Sequence, residues 1–212
     1  MKYQFPMIVW AMFERVMNIV QGPFRMLKSL LICKAYGLTF PAGGEMPVFR
    51  GKTIIRTRTH GEISLGSGCV FDADVKHNLV GLSGPTILDT RHGGSVVIGD
   101  NSGFSSVVVS SKTSVRIGSR VRCGGNVRIF DHDFHSLSAE TRAKYATDVV
   151  NIRSKPVDIG NDVFIGTSAM ILKGSIIGDR SIVAAGAVVF GLVAPPDSLI
   201  KGNPATVVEK RK

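Results

Sequence analysis

From residue 47 onward, apolar side chains return every six positions. The clearest run is Ile159, Ile165, Ile171, Ile177, Val183 and Val189. The position four further on in each unit is small: Val163, Ala169, Ser175, Ser181 and Ala187. Earlier pieces share the pattern, with Leu65-Gly and Phe71-Asp, Ile98-Gly and Phe104-Ser, then Ile117-Gly, Cys123-Gly and Ile129-Phe. A period of six belongs neither to an isolated helix nor to an alternating strand. One short strand plus one tight corner uses six residues. Three such units close a triangular coil, and stacked coils pair as parallel strands ~4.8 Å apart. The pattern predicts a mainly β chain folded as a parallel β-helix of hexapeptide repeats. The large apolar residue points inward, the small one turns the corner, and Gly, Asn or Asp accepts the unusual backbone there.

The leading segment has a different period. Glu14, Asn18, Gln21, Arg25 and Lys28 form one polar stripe, with Met12, Phe13, Val16, Ile19, Val20, Phe24, Leu27, Leu30 and Leu31 on the other face. This spacing predicts two amphipathic helices over residues 7–36, broken at Gly22-Pro23 and stopped at Gly37. Pro41-Ala42-Gly43-Gly44 reads as a linker. The expected organisation is a helical segment and linker over residues 1–46 and a β-helix domain over 47–212, with a C-terminal tail at 201–212. Two stretches interrupt the repeat. Residues 76–96 contain Pro85 and Gly93-Gly94, although Ile87 and Val96 fit strands. Residues 130–156 gather Asp131, His132, Asp133, His135, Glu140, Arg142, Tyr145 and Asp148. An irregular loop longer than ~12–15 residues in a compact domain is usually functional or disordered. One that concentrates the titratable groups of an aliphatic solenoid points to function.

Composition narrows the setting. The chain has 212 residues, 24 of them Gly, and only 11 Phe, 3 Tyr and 1 Trp. Its three cysteines, Cys33, Cys69 and Cys123, are far apart with no Cys-x-x-Cys. That excludes a disulfide scaffold or a cysteine-type zinc finger and fits a reducing cytosol. No uninterrupted run of 18 apolar residues occurs, as a transmembrane helix would need. The apolar stretch Phe5–Phe13 is closed by Glu14 and Arg15 without a small-residue cleavage site, so it is not read as a signal peptide. The net charge is +10, and residues 1–60 hold nine basic side chains against Glu14 and Glu45. A basic, amphipathic leading segment points to an anionic surface. Nucleic acid is not expected: the basic residues are interleaved with aliphatics, and no binding motif is present.

Three segments carry a family resemblance. They are Asn126-Val-Arg-Ile-Phe-Asp-His-Asp-Phe-His135-Ser-Leu-Ser-Ala-Glu-Thr-Arg142, Lys155-Pro-Val-Asp-Ile-Gly-Asn-Asp-Val-Phe-Ile-Gly166 and Lys201-Gly-Asn-Pro-Ala205. Residues 98–208 resemble the hexapeptide-repeat acyltransferases, whose fold is a left-handed parallel β-helix. Within them they are most similar to bacterial sugar O-acetyltransferases, both the maltose and galactoside enzymes and those of capsule or O-antigen gene clusters. The resemblance implies an acetyl-CoA-dependent O-acetyltransferase acting on a sugar hydroxyl of a polysaccharide or glycan precursor. It further implies a homotrimer with each site between two subunits, and no metal.

In that family a His followed seven residues later by an Arg marks the catalytic loop. The pair here is His135 and Arg142, which makes His135 the implied general base; His132 is a second candidate. Asp131 or Asp133 orients the imidazole or merely solvates the loop. Both stand with Arg142 and Ser105 as acceptor-side candidates, although Arg142 is better suited to fixing the loop by an ion pair. Thr167 and Ala185 match positions that contact pantetheine in related enzymes. Relatives often carry Thr-Lys after the last strand, where this chain has Phe190-Gly191. Lys201, Lys210 or Arg211 is then left to meet the CoA phosphates. Phe104-Ser105-Ser106 stands where relatives carry an acceptor-contacting Asn or Asp. The spacing from Asn126 to His135 is one residue longer than in the maltose and galactoside enzymes and matches the capsule-type members.

The chemistry agrees with that assignment. A sugar hydroxyl becomes a nucleophile when a base takes its proton, and an imidazole with pKa near ~6.5 suits the task. No Gly-x-Ser-x-Gly elbow or loop cysteine is present to form a covalent intermediate, so transfer is direct. The alternatives are an amino-sugar N-acyltransferase of the same fold, a non-enzymatic β-helix scaffold and a zinc hydratase of the same class. The last needs three converging imidazoles, and only His132 and His135 of the five His share a loop. The expected location is the cytoplasm, with peripheral attachment to the inner membrane face through residues 1–36. Packing of those helices on the open end of the β-helix or on a neighbouring subunit is the other use of the same face.

Overall fold

The computed structural model describes residues 23–24, 26–57, 61–90 and 92–208. The first of the two expected helices lies outside the described residues, as do Lys210 and Arg211. A helix, α1 (residues 26–36), precedes three parallel sheets wound around one core. The first sheet runs β1 (Val48–Gly51), β4 (Val70–Ala73), β7 (Gly103–Ser105), β10 (Arg122–Gly125), β13 (Phe164–Ile165), β16 (Ile182–Val183) and β19 (Leu199–Gly202). The second stacks β2 (Thr53–Arg56), β5 (Thr86–Asp89), β8 (Val108–Ser110), β11 (Arg128–Phe130), β14 (Met170–Leu172) and β17 (Val188–Val189). The third stacks β3 (Glu62–Leu65), β6 (Ser95–Ile98), β9 (Ser114–Ile117), β12 (Val157–Ile159), β15 (Ile176–Ile177) and β18 (Val193–Ala194). The chain visits the three sheets in rotation, so each coil takes one strand from each, and β19 opens a seventh coil.

The six-residue pattern becomes three inward columns. Phe49, Phe71, Phe104, Cys123, Ile165, Val183 and Ile200 are in register down the first sheet. Leu88, Val109, Ile129, Ile171 and Val189 fill the second, and Leu65, Ile98, Ile117, Ile159, Ile177 and Ala194 the third. All are buried. Phe71 stacks between Phe49 and Phe104, with ring centroids 5.0 and 4.9 Å away and planes 8° apart. That separation is the inter-strand spacing itself, so the coil rise imposes the ring stacking.

The corners explain the rest of the motif. In Ile-Gly, a Cβ on Gly118 would stand 2.6 Å from the backbone of Gly160 in the next coil, so only Gly allows the coils to approach. The following polar residues bind across coils: Ser67 N–H donates to Asp100, Ser119 N–H to Asn161, and Asn161 N–H to Asp179. The residue after them turns left-handed at Asn101, Arg120, Asp162, Arg180 and Asp197.

The helix α1 packs on the open end of the β-helix. Its Ser29 and Cys33 are buried, Ser29 Oγ accepts from Phe49 N–H at 3.2 Å, and Gly37 ends it with φ of 61°. Thr39 then pairs with the edge of the third sheet through Ser64. The expected tail also changes character. Lys201 lies in β19, and β20 (Ala205–Val208) returns antiparallel to it, so residues 201–208 form a hairpin on the first sheet. Truncating Phe71 to Ala removes the middle ring of the stack. The expected cost is about 3–5 kcal/mol, read by denaturant unfolding, against a change within ~0.5 kcal/mol for Val75→Ala on the exposed loop that follows.

Candidate active site

The 130–156 loop leaves the corner between the second and third sheets. Its neck is zipped by antiparallel bonds: Asp133 N–H donates to Arg153 O, Lys155 N–H to Asp131 O, and His132 bridges Ser154. Its tip carries two short helices, α2 (Ala139–Arg142) and α3 (Tyr145–Val150). Ser138 caps α2 by accepting from Thr141 N–H.

The two histidines separate sharply. His132 is 3% exposed. Its Nδ1 accepts from Phe134 N–H at 3.1 Å, which leaves the ring proton on Nε2, 3.0 Å from Ser110 Oγ. Its edge also meets the His92 ring, centroids 5.4 Å apart. Burial pulls its pKa below the usual histidine value. Both nitrogens are committed and the ring is covered, so His132 is a structural residue and not the second catalytic candidate expected from its chemistry.

His135 is exposed and paired. Its Nδ1 lies 2.7 Å from Asp148 Oδ2, and the other carboxylate oxygen accepts from Ser136 N–H at 2.6 Å. The His135 bond, followed by the Ser136 N–H, holds the Asp148 carboxyl below the ordinary carboxylate range. An ionised Asp148 fixes the proton on Nδ1 and leaves Nε2 as the open acceptor. Arg142 Nη1 donates to Ser136 O at 2.7 Å, so Ser136 is held at both its amide and its carbonyl. Arg142 thus contacts the loop through a backbone carbonyl, where an ion pair was expected. A cleft of about 270 Å³ opens here, lined by His92, Phe134, His135, Tyr145, Asp148 and Ile152 among others.

Neither expected aspartate orients the imidazole. Asp131 is fully buried and accepts from Ser111 Oγ and the N–H groups of Lys112, Thr113 and Ser114. It rivets two corners together and is closed to any substrate. Asp133 pairs with Lys173, whose ammonium also stands 5.5 Å from the Phe190 ring centroid. The sequence placed Asp148 among the loop's polar residues without a role. Its only signal was a carboxylate thirteen residues beyond His135, a separation that becomes a contact when α3 folds back.

Ser105, Thr167 and Ala185 lie on a different edge, where the first sheet turns into the second. Ser168 N–H donates to Gly125 O, Asn126 N–H to Ser105 O and Gly186 N–H to Thr167 O, which stacks these corners into one column. The pairing of Val183 with Ile200 carries the exposed Lys201 to the C-terminal end of that column. Thus the structure brings together the residues matched to pantetheine, and separates them from His135 by one face of the prism. The cysteines are all buried and free, and burial pushes the Cys123 thiol far up, so none is a nucleophile. Among the described residues, no group of three His, Cys, Asp or Glu is placed to hold a metal ion.

Comparison with known proteins agrees with this architecture. Residues 156–191 match the bacterial transferase hexapeptide family, six repeats. The chain is 31% identical over 127 residues to the putative lipopolysaccharide biosynthesis O-acetyl transferase WbbJ of Escherichia coli K12, covering 58% of this chain and 64% of that protein. It is 31% identical over 123 residues to the galactoside O-acetyltransferase of the same organism, covering 56% of each. These matches span less than two thirds of either relative. Among solved structures, AntD, an N-acyltransferase from Bacillus cereus in complex with dTDP and 3-hydroxybutyryl-CoA, superposes with a TM-score of 0.61. At 15% identity over 87% of this chain and 89% of that one, it speaks for the fold. The repeats, the left-handed parallel β-helix and these relatives make the chain similar to the hexapeptide-repeat acyltransferases.

Proposed function

We propose that the protein is an acetyl-CoA-dependent O-acetyltransferase acting on a sugar hydroxyl of a polysaccharide or glycan precursor, with His135 as general base. The observation that carries this is the His135–Asp148 pair, with Nε2 open beside a cleft. Two relatives that share sequence with the chain, WbbJ and the galactoside enzyme, are O-acetyl transferases, which favours oxygen over nitrogen as the acceptor. An amine acceptor is the second reading, supported only by a neighbour that shares the fold.

In this reading Nε2 of neutral His135 takes the proton of the acceptor hydroxyl as its oxygen attacks the thioester carbonyl. The C–S bond then breaks, and the imidazolium returns the proton to the departing CoA sulfur. Asp148 stabilises the imidazolium between the two transfers. The column of Thr167 and Ala185 offers exposed corner backbone to a pantetheine chain, and Lys201 stands at its end for a phosphate. One prism cannot present both edges to one substrate. A homotrimer that sets the His135 edge of one subunit against the Thr167 edge of the next supplies the missing half, and analytical ultracentrifugation of the active species is expected to give three chains. A fully active monomer would contradict it.

The outer face of α1 exposes Met26, Leu27, Leu31 and Lys34. Among the described residues no helix is long and apolar enough to cross a membrane. This face supports peripheral attachment of residues 1–36 to the anionic cytoplasmic leaflet, where each basic side chain contributes about 1 kcal/mol. Flotation with anionic but not neutral vesicles, lost on deleting residues 1–36, is the expected result.

For His135→Ala, turnover is expected to fall at least ~10²-fold with CoA binding and the folded state intact. Asp148→Asn should lower turnover in the same direction and also lower Tm. Because the Asp148 carboxyl is held below its ordinary value, its contribution is complete above ~3.9 and is lost as pH falls through the folded-state value. The Tm gap between wild type and Asp148→Asn is thus expected to persist from pH 7 to 5 and close only in stronger acid. Closure near neutrality would contradict the pairing.

A further inference from the structure

The strand register fixes the height of every corner along the prism axis. His135 leaves from the fourth coil, that of β10 and β11. Thr167 and Ala185 follow β13 and β16, in the fifth and sixth coils, so the proposed donor track runs from His135 toward the C-terminal end. An acceptor meeting the thioester at the His135 level is left to extend the other way, toward the third and second coils. On the Thr167 edge those coils carry Ser105 and then Asp72.

A second His–Asp pair stands there. Asp72 lies in the buried part of β4 and is 7% exposed. Its Oδ2 pairs with His77 Nδ1 at 3.2 Å and with Arg50 Nη1 at 3.3 Å, and its Oδ1 accepts from Asp74 N–H at 3.1 Å. His77 keeps 45% of its side chain exposed, and its Nε2 makes no hydrogen bond among the described residues. The next residue, Asn78, donates to Ser105 Oγ at 2.8 Å. The loop over residues 74–85 is pinned at its far end by Asn126, which accepts from Ser83 N–H and donates to Gly81 O. It therefore lies along the edge from the second coil to the fourth and exposes Val75, Leu79 and Val80. Nothing in the folding of the β-helix needs a half-exposed imidazole tethered to a buried carboxylate.

We propose that His77, positioned by Asp72, binds a hydroxyl of a second sugar unit, so the acceptor is an oligosaccharide or longer glycan rather than a free monosaccharide. The inference rests on the acetyltransferase reading above. Two coils separate the Asp72 and His135 levels, about 10 Å along the axis, farther than one pyranose ring reaches. A hydroxyl both donates and accepts, so it suits Nε2 in either protonation state. The apolar side chains of the loop suit the C–H face of a sugar ring.

The test is labelled acetyl transfer to a panel of methyl hexosides and the matching disaccharide glycosides, with wild type, His77→Ala and Asp72→Asn. Wild type is expected to favour disaccharides at least tenfold in kcat/KM. His77→Ala should raise KM for the disaccharide about tenfold, the loss of about 1.4 kcal/mol, while CoA binding, Tm and the monosaccharide rate stay unchanged. Asp72→Asn should move disaccharide KM the same way. Equal effects on both acceptor lengths, or none, would overturn the role of His77 and leave the acetyltransferase reading standing. A wild type that transfers acetyl to no sugar on the panel would instead overturn that reading, and this inference with it.

Discussion

Parallel strands stacked in register at one fixed rise govern everything else in this molecule. Each inward position must accept the same position of the coil above and below. That demand selects β-branched aliphatics, and tolerates Phe only where three rings follow one another, at Phe49, Phe71 and Phe104. The same rise leaves no room for a Cβ after Ile98, Ile117, Ile159, Ile165 and Ile177, hence the recurring Ile-Gly. Burial of the columns supplies the driving force, while the cross-coil bonds of Asp100, Asn161 and Asp179 satisfy corner amides that would otherwise be stranded.

A lattice this regular has no place for reactive groups inside it, so chemistry is carried where the winding is interrupted. Both interruptions use one device: a buried or shielded carboxylate holds one nitrogen of an exposed imidazole. Asp148 does so for His135 on one edge, and Asp72 for His77 on another. Asp131 shows the contrasting use of the same side chain. With four donors on its two oxygens it joins coils and leaves nothing for a ligand. His132, two bonds deep in the neck of the loop, contributes rigidity to the segment that presents His135.

The β-helix was legible because its rule is local: six residues, one inward side chain, one corner. The inward columns and the Gly37 stop followed from spacing, and attention to His135 came from the family resemblance. What escaped depended on contacts between distant parts of the chain. Asp148 reaches His135 only because α3 folds back, and nothing in the spacing distinguishes it from Asp131 or Asp133, which sit nearer in sequence but are consumed by backbone amides and by Lys173. The strands β5 and β6 contain Ile87 and Val96, the two positions that fitted strands within the interrupted stretch over residues 76–96. The hairpin of Lys201 through Val208 was hidden because an antiparallel return does not extend the repeat.

In the proposed reading, the two halves of the active site lie on different edges of one prism and are completed between neighbouring subunits. Subunit complementation tests this directly. His135→Ala and Thr167→Trp chains, each inactive alone, would be mixed, unfolded and reassembled, and acetyl transfer measured. Recovery of a substantial fraction of wild-type activity is predicted, because some mixed interfaces then join an intact His135 edge to an intact Thr167 edge. Reassembled mixtures of wild-type oligomeric state with no recovered activity would contradict a site shared between subunits.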